Sequence, residues 1–165
     1  MSVCVVPRPR GPSGRGSALA LVPAGFLVLI VLAAITVDSA VAFLGQHQLG
    51  DALAAAANDA AGAAISDSSF YGSGAVVVDP ARAAAVVCRS VAAQDGGLHR
   101  LSIQIAVAGS VVGLRGTAEV DEVFGRDLPG ARQREVRAAA TAVAARGPLG
   151  SVAAPLIFHP VSCFS

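Results

Sequence analysis

The chain reads as an α+β protein: one long N-terminal helix, then a small extracytoplasmic head with one further helix and an antiparallel β-sheet. Three observations predict this. Residues 17–37 form an apolar run without a single charge. Residues 38–65 continue it without a proline and are dense in alanine, the best helix former. Further on, Leu101, Ile103, Ile105 and Val107 alternate with Ser102, Gln104 and Ala106, the period of two that marks a strand.

The first run has the length of a membrane span, since about 20 apolar helical residues cross ~30 Å of hydrocarbon. Pro23 falls within its first two turns, where a missing amide hydrogen costs less than at a helix centre. Arg8, Arg10 and Arg15 precede the run, and no basic residue follows it until Arg82. Asp38, Asp51, Asp59, Asp67 and Asp79 occupy that interval. Basic residues flank the cytoplasmic end of a span. This predicts a single-pass protein of the cell membrane with its N-terminus in and its head out. The divisions are then a cytoplasmic leader (1–16), a transmembrane helix (17–37), a helical stalk (38–65) and the head (66–165). A competing reading is a secreted or anchored binding protein whose leader is a signal peptide cut after Ala42, with Ala40 and Ala42 as the small residues of the site. An apolar core of ~7–15 residues is usual for signal peptides, and the longer run here favours an anchor.

A helix continuing from the span to residue 65 would be roughly 70 Å long. Leu49, Leu53, Ala56, Ala60 and Ala64 recur at spacings of three and four and make one apolar stripe. His47, Asp51 and Asn58 fall on another face. The stripe suits packing either against a second helix or against the chain's own head. Residues 66–74, SDSSFYGSG, read as a turn-rich break. Asp79-Pro80 then supplies an N-cap and a first-turn proline for a helix over 81–93. Its expected core face holds Ala84, Val87, Cys88 and Val91.

The strand over Leu101–Val107 is followed by Gly109-Ser110 and a second strand-like stretch over 111–123, which predicts a hairpin. Residues 131–146 are helical by propensity, yet Arg134, Val136, Ala138, Ala140 and Ala142 alternate. The strand is preferred, because a lone hairpin does not sustain a sheet. The tail, 147–165, has three prolines and two glycines and reads as mostly irregular.

Composition limits what the head can do. Of 165 residues 54% are hydrophobic but only 4% aromatic, with no Trp, so the core is built largely of Ala and Val and is thin. A net charge of +1 gives no general reason to expect nucleic acid or an acidic substrate. His47, His99 and His159 show no metal-ligand spacing. Asp121 and Glu122 are neighbours and would face opposite ways on a strand. Ser66–Ser69 lacks the context of a nucleophile elbow. No phosphate-binding glycine loop is present. Arg132, Arg134 and Arg137 come without the aromatic platform that single-stranded nucleic acid needs, and read as a solvated face more readily than as a phosphate site. No catalytic residue, cofactor, metal or small-molecule substrate is indicated.

The cysteines do carry a prediction. Cys4 lies on the cytoplasmic side, whereas Cys88 and Cys163 both lie outside, where disulfides persist. A Cys88–Cys163 bridge is expected, in preference to two buried thiols. Closing so long a loop contributes about 4 kcal/mol on the chain-entropy account.

The N-terminal third, RGSALALVPAGFLVLIVLAAITVD followed by LGQHQLGDALAAAANDAAGAA, resembles the TadE/TadG-like proteins of Flp (tight-adherence) pilus assembly. In that family a glycine precedes a small residue at the start of the membrane helix, an early proline follows, and an acidic residue closes the run. Gly16, Ser17, Pro23 and Asp38 match those positions, and Asn58-Asp59-Ala60-Ala61 matches the alanine-rich segment. The resemblance covers roughly residues 14–65. It implies a pilin-like, non-enzymatic envelope protein whose partners are the lipid bilayer and other pilus-assembly membrane proteins. It also implies a candidate prepilin-type cleavage between Gly16 and Ser17. The processing peptidase favours glutamate at the fifth mature position, which here is Leu21, so the resemblance points to an uncleaved anchor that supports assembly.

Overall fold

The structure is a computed structural model that describes residues 17–94, 98–124, 133–144 and 155–163. It is α+β, with three helices and a four-stranded antiparallel sheet among the described residues. The elements are α1 (Ser17–Ala63), α2 (Asp67–Ser73), α3 (Pro80–Ala92), β1 (His99–Ala108), β2 (Val111–Val120), β3 (Arg134–Val143) and β4 (His159–Val161). The chain divides into two compact units, one ending at Thr36 and the other beginning at Val37.

In the first unit the described residues are helical, with Pro23 inside the helix. Their apolar side chains are exposed, Leu21, Phe26, Leu29 and Leu32 each by more than half. The most apolar window has a mean hydropathy of 2.6 and no buried residue, so α1 is long and apolar enough to cross a membrane.

In the second unit α1 changes character. Leu49, Leu53, Ala56, Ala60 and Ala64 are fully buried, joined by Ala52, Ala57 and Ala61. They belong to the same core as Val112, Leu114, Ile103 and Ile105 of the sheet. Of the two partners that suit the stripe, it takes its own head, while His47, Asp51 and Asn58 are exposed. The approach is close because glycines line it. A Cβ on Gly116 would lie 3.1 Å from Leu53 Cδ1, and one on Gly45 would lie 2.5 Å from Val120 Cγ2.

The sheet order is β3-β2-β1-β4. The hairpin forms as expected, with Ala108 opposite Val111 and Gly109 at a positive φ of 60° in the two-residue loop. Residues 134–143 are a strand, and β3 pairs with β2 along its full length from Val111↔Val143 to Val120↔Arg134. Alternation prevails over helical propensity here because Val136 and Ala142 enter the core beside Ala118 and Val112.

Four expectations need correction. Residues 66–74 are no plain turn: Asp67–Ser73 forms the short helix α2, so the head carries two helices, closed by Gly74 at φ 72°. β2 stops at Val120, short of residue 123. The tail contributes a fourth strand, β4, with Ile103 opposite Val161 and Ile105 opposite His159. Pro160 lacks an N–H and is tolerated because β4 is an edge. Finally, the buried face of α3 is Ala83, Val86, Val87 and Val91, with Ala84 and Cys88 only partly buried.

Asp79 caps α3 as its sequence predicts. Its Oδ1 accepts from the amides of Ala81 and Arg82 at 2.8 and 2.9 Å, and Pro80 occupies the first turn. The connection before it is tied on both sides. Ile65 bridges Val78, the Asp79 amide donates to the Ala64 carbonyl, and the Val78 amide donates to the Gly109 carbonyl at the hairpin tip.

Candidate functional site

Cys88 of α3 and Cys163, just beyond β4, are joined by a disulfide with Cα atoms 5.1 Å apart. The bridge closes a separation of 75 residues and holds the short edge strand against the head. The same tail reaches the face of the sheet away from α1. Leu156 and Phe158 lie against Gly113, where a Cβ would meet Leu156 Cδ1 at 2.8 Å. The Arg115 guanidinium stands 4.0 Å from the centroid of the Phe158 ring.

That outer face carries a shallow open basin lined by Ser102, Gln104, Arg115, Thr117 and Arg137 together with small residues. No carboxylate, imidazole or thiol lines it, so neither hydroxyl has a base beside it to make it a nucleophile. Arg137 Nε donates to Glu135 Oε1 at 2.9 Å, and this bond, helped by the carboxylate's charge, raises the guanidinium's pKa above its ordinary value. Arg134 and Arg137 lie three apart on the edge strand β3, and both line a second shallow hollow with Glu135 and with Ser39, Ala42, Phe43 and Gln46 of α1. Arg132 lies outside the described residues.

The remaining polar groups form pairs that fix the chain. Arg82 meets Asp67 at 3.0 Å, tying α3 to α2. The Ser90 hydroxyl donates to Asp59 at 2.8 Å, tying α3 to α1. Asp121 does not lie on a strand. It accepts from Gln133 at 2.9 Å and faces His99 at 3.4 Å. Ser66, Ser68 and Ser69 bond one another at the start of α2. Among the described residues no three His, Cys, Asp or Glu side chains converge as a metal site requires.

One arrangement has no counterpart in the sequence reading. Asp38, the residue that follows the uncharged run, accepts two backbone hydrogen bonds on the same carboxylate oxygen. They come from the amides of Val123 and Phe124, at 2.9 and 3.0 Å. The donors lie 85 and 86 residues further along the chain, so no local pattern announces the pairing. Both donors lie in the segment just beyond the end of β2 at Val120. Val123 and Phe124 themselves remain 54% and 51% exposed, as do Phe43 and Leu44 on α1 at 67% and 57%.

Of the candidate processing positions, Gly16 lies outside the described residues and Ser17 is the first residue of α1. Ala40 and Ala42 lie inside α1, Ala42 partly buried. Comparison with protein-family models, with curated proteins and with solved structures finds no match.

Proposed function

We propose that this chain is a non-enzymatic, membrane-anchored component of Flp-type pilus assembly, similar to the TadE proteins, with its N-terminus in the cytoplasm and its head outside. The observation that carries the reading is the division of labour along α1. One stretch exposes a continuous apolar surface, and the next buries its apolar face on a small antiparallel sheet. A membrane-anchored, pilin-like subunit needs both parts, one stretch for the bilayer and one that carries a folded head.

Two features support the topology. Arginines stand before the run and aspartates after it. The Cys88–Cys163 disulfide belongs in an oxidising compartment. Because the stripe from Leu49 to Ala64 is occupied by the head, contacts with partner helices fall to the apolar stretch before Asp38. Head contacts fall to exposed surfaces such as the outer face of the sheet.

The test is deletion of the gene with complementation, scored by piliation, together with co-purification of the tagged full chain from detergent-solubilised membranes. Loss of pili and recovery of pilus-assembly membrane proteins are expected. Normal piliation after deletion would remove the assembly role. Recovery of a soluble chain beginning at Phe43 would remove the anchor as well, and cleavage there would also discard Asp38 and its two amide contacts.

A further inference from the structure

We propose that the Val123–Phe124 segment is a membrane-seating loop: held by Asp38, it inserts its two apolar side chains into the boundary between lipid headgroups and acyl chains. The inference deepens the anchoring part of the function proposed above and rests on α1 crossing a bilayer. Its partner is a lipid surface.

Chain connectivity sets the depth of the loop. Asp38 follows directly on the uncharged run 17–37, so the end of that run and the Asp38 carboxylate lie at the same level of the helix, within one 1.5 Å step. Two amides within 3.0 Å of that carboxylate fix the Val123 and Phe124 backbone to the level where hydrocarbon gives way to headgroups. Both side chains are half exposed, two adjacent apolar groups left outside the core. On the same unit Phe43 is 67% and Leu44 57% exposed, within two turns of Asp38, so the loop does not stand alone.

Hydrogen bonding points the same way. A backbone N–H near hydrocarbon is costly unless it has a partner, since water is scarce there. Asp38 supplies one acceptor to two consecutive amides, which lets this bend of chain lie flat against the bilayer. On the adjoining surface Arg134, Glu135 and Arg137 line a shallow hollow with Ser39, Ala42, Phe43 and Gln46, the Arg137 guanidinium being held by Glu135 at 2.9 Å.

The protein contains no Trp, so a single introduced Trp reports its own surroundings. Three full-length variants, Phe124→Trp, Leu32→Trp and Tyr71→Trp, are reconstituted in phosphatidylcholine–phosphatidylglycerol vesicles brominated at shallow or deep acyl positions. Flotation confirms membrane association. Trp at 124 should emit at shorter wavelength than in detergent-free buffer standards and be quenched more by shallow than by deep bromines. Trp at 32, in the apolar run, should be quenched by deep bromines. Trp at 71 should be unquenched, since α2 follows the end of α1, 25 residues or about 37 Å of helix beyond Asp38. Adding Asp38→Ala to the Phe124→Trp chain should cut its quenching by half or more while flotation persists. Quenching at 32 without quenching at 124 overturns the seating loop and leaves the anchor standing. No quenching at either position overturns both. Undiminished quenching at 124 after Asp38→Ala overturns the role given to the carboxylate.

Discussion

At the scale of single residues, the two glycines at 45 and 50 separate packing from propensity. Both lie in α1 and both lower its intrinsic helix stability by about 1 kcal/mol relative to alanine. Gly50 has open space where a Cβ would go, so Gly50→Ala should stabilise the head by close to that amount. At Gly45 the same methyl would collide with Val120, itself buried in the core. Gly45→Ala should therefore destabilise, the overpacking cost of about 1–3 kcal/mol outweighing the propensity gain. Urea unfolding in detergent, followed by circular dichroism, should show midpoints moving in opposite directions. Val120→Ala added to Gly45→Ala should recover part of the loss. If both glycine variants stabilise alike, the close approach of α1 to β2 is wrong. Asp79 offers a second test by the same measurement. Removing the acceptor for two amides at the start of α3 by Asp79→Ala should cost about 1 kcal/mol.

At the scale of elements, β4 and the disulfide stand or fall together. β4 is three residues long and pairs with β1 at Ile103, Gln104 and Ile105. Among the described residues ten of the 22 buried apolar side chains are alanines, so the core offers little area to hold an edge strand by burial alone. The paired substitution Cys88→Ser with Cys163→Ser should lower head stability by up to about 4 kcal/mol. Hydrogen exchange should rise first at His159 and Val161, while amides at the β2–β3 junction keep their protection. Uniform loosening of all four strands would show instead that the bridge supports the whole sheet. The same short strand shows why the tail was not legible from its residues. HPV carries no alternation, includes a proline, and is a strand only because β1 has a free edge and Cys88 is nearby. By contrast the hairpin, the capped α3 and β3 were legible, since each has period, cap or turn chemistry within ten or so residues. α2 was hidden because Ser, Gly and Tyr are weak helix formers, and its seven residues hold by Arg82 reaching across to Asp67 and the Ile65 carbonyl. The Asp38 clamp was hidden for a different reason. Acidic residues at the end of an apolar run are ordinary, and which amides one of them meets is settled by tertiary structure alone. On α3 the buried face is turned by about one residue from expectation, which the constraint on Cys88 explains. A cysteine bridged to an exposed tail sits at the margin of the core, and valines at 86 and 87 take its centre.

For the whole molecule, the three cysteines make topology measurable without adding a probe. If the proposed topology holds, Cys4 is a thiol on one side of the membrane, and the Cys88–Cys163 disulfide lies on the other. On spheroplasts, a membrane-impermeant maleimide should label nothing, and a permeant one should label Cys4 alone. Once the permeant reagent has blocked Cys4, reduction under denaturing conditions should let the impermeant reagent add two labels, at Cys88 and Cys163. Intact mass of the unreduced chain from the membrane fraction should be two hydrogens below that of the reduced chain, whether it begins at Met1 or at Ser17. The logic separates the competing arrangements. Impermeant labelling of Cys4 on sealed spheroplasts means the orientation is inverted. In that case the head lies in a reducing compartment, and its bridge should be open. A soluble chain without Cys4 and beginning at Phe43 means that the apolar run was a signal peptide, and then neither anchor nor seating loop remains. A membrane-bound chain with an outer disulfide, with Cys4 a cytoplasmic thiol wherever the leader is retained, is the outcome that fits an anchored head. Under the seating proposal the exposed apolar side chains of Phe43, Leu44, Val123 and Phe124 would then meet lipid, and the quenching of Trp at 124 and the labelling of Cys4 should agree.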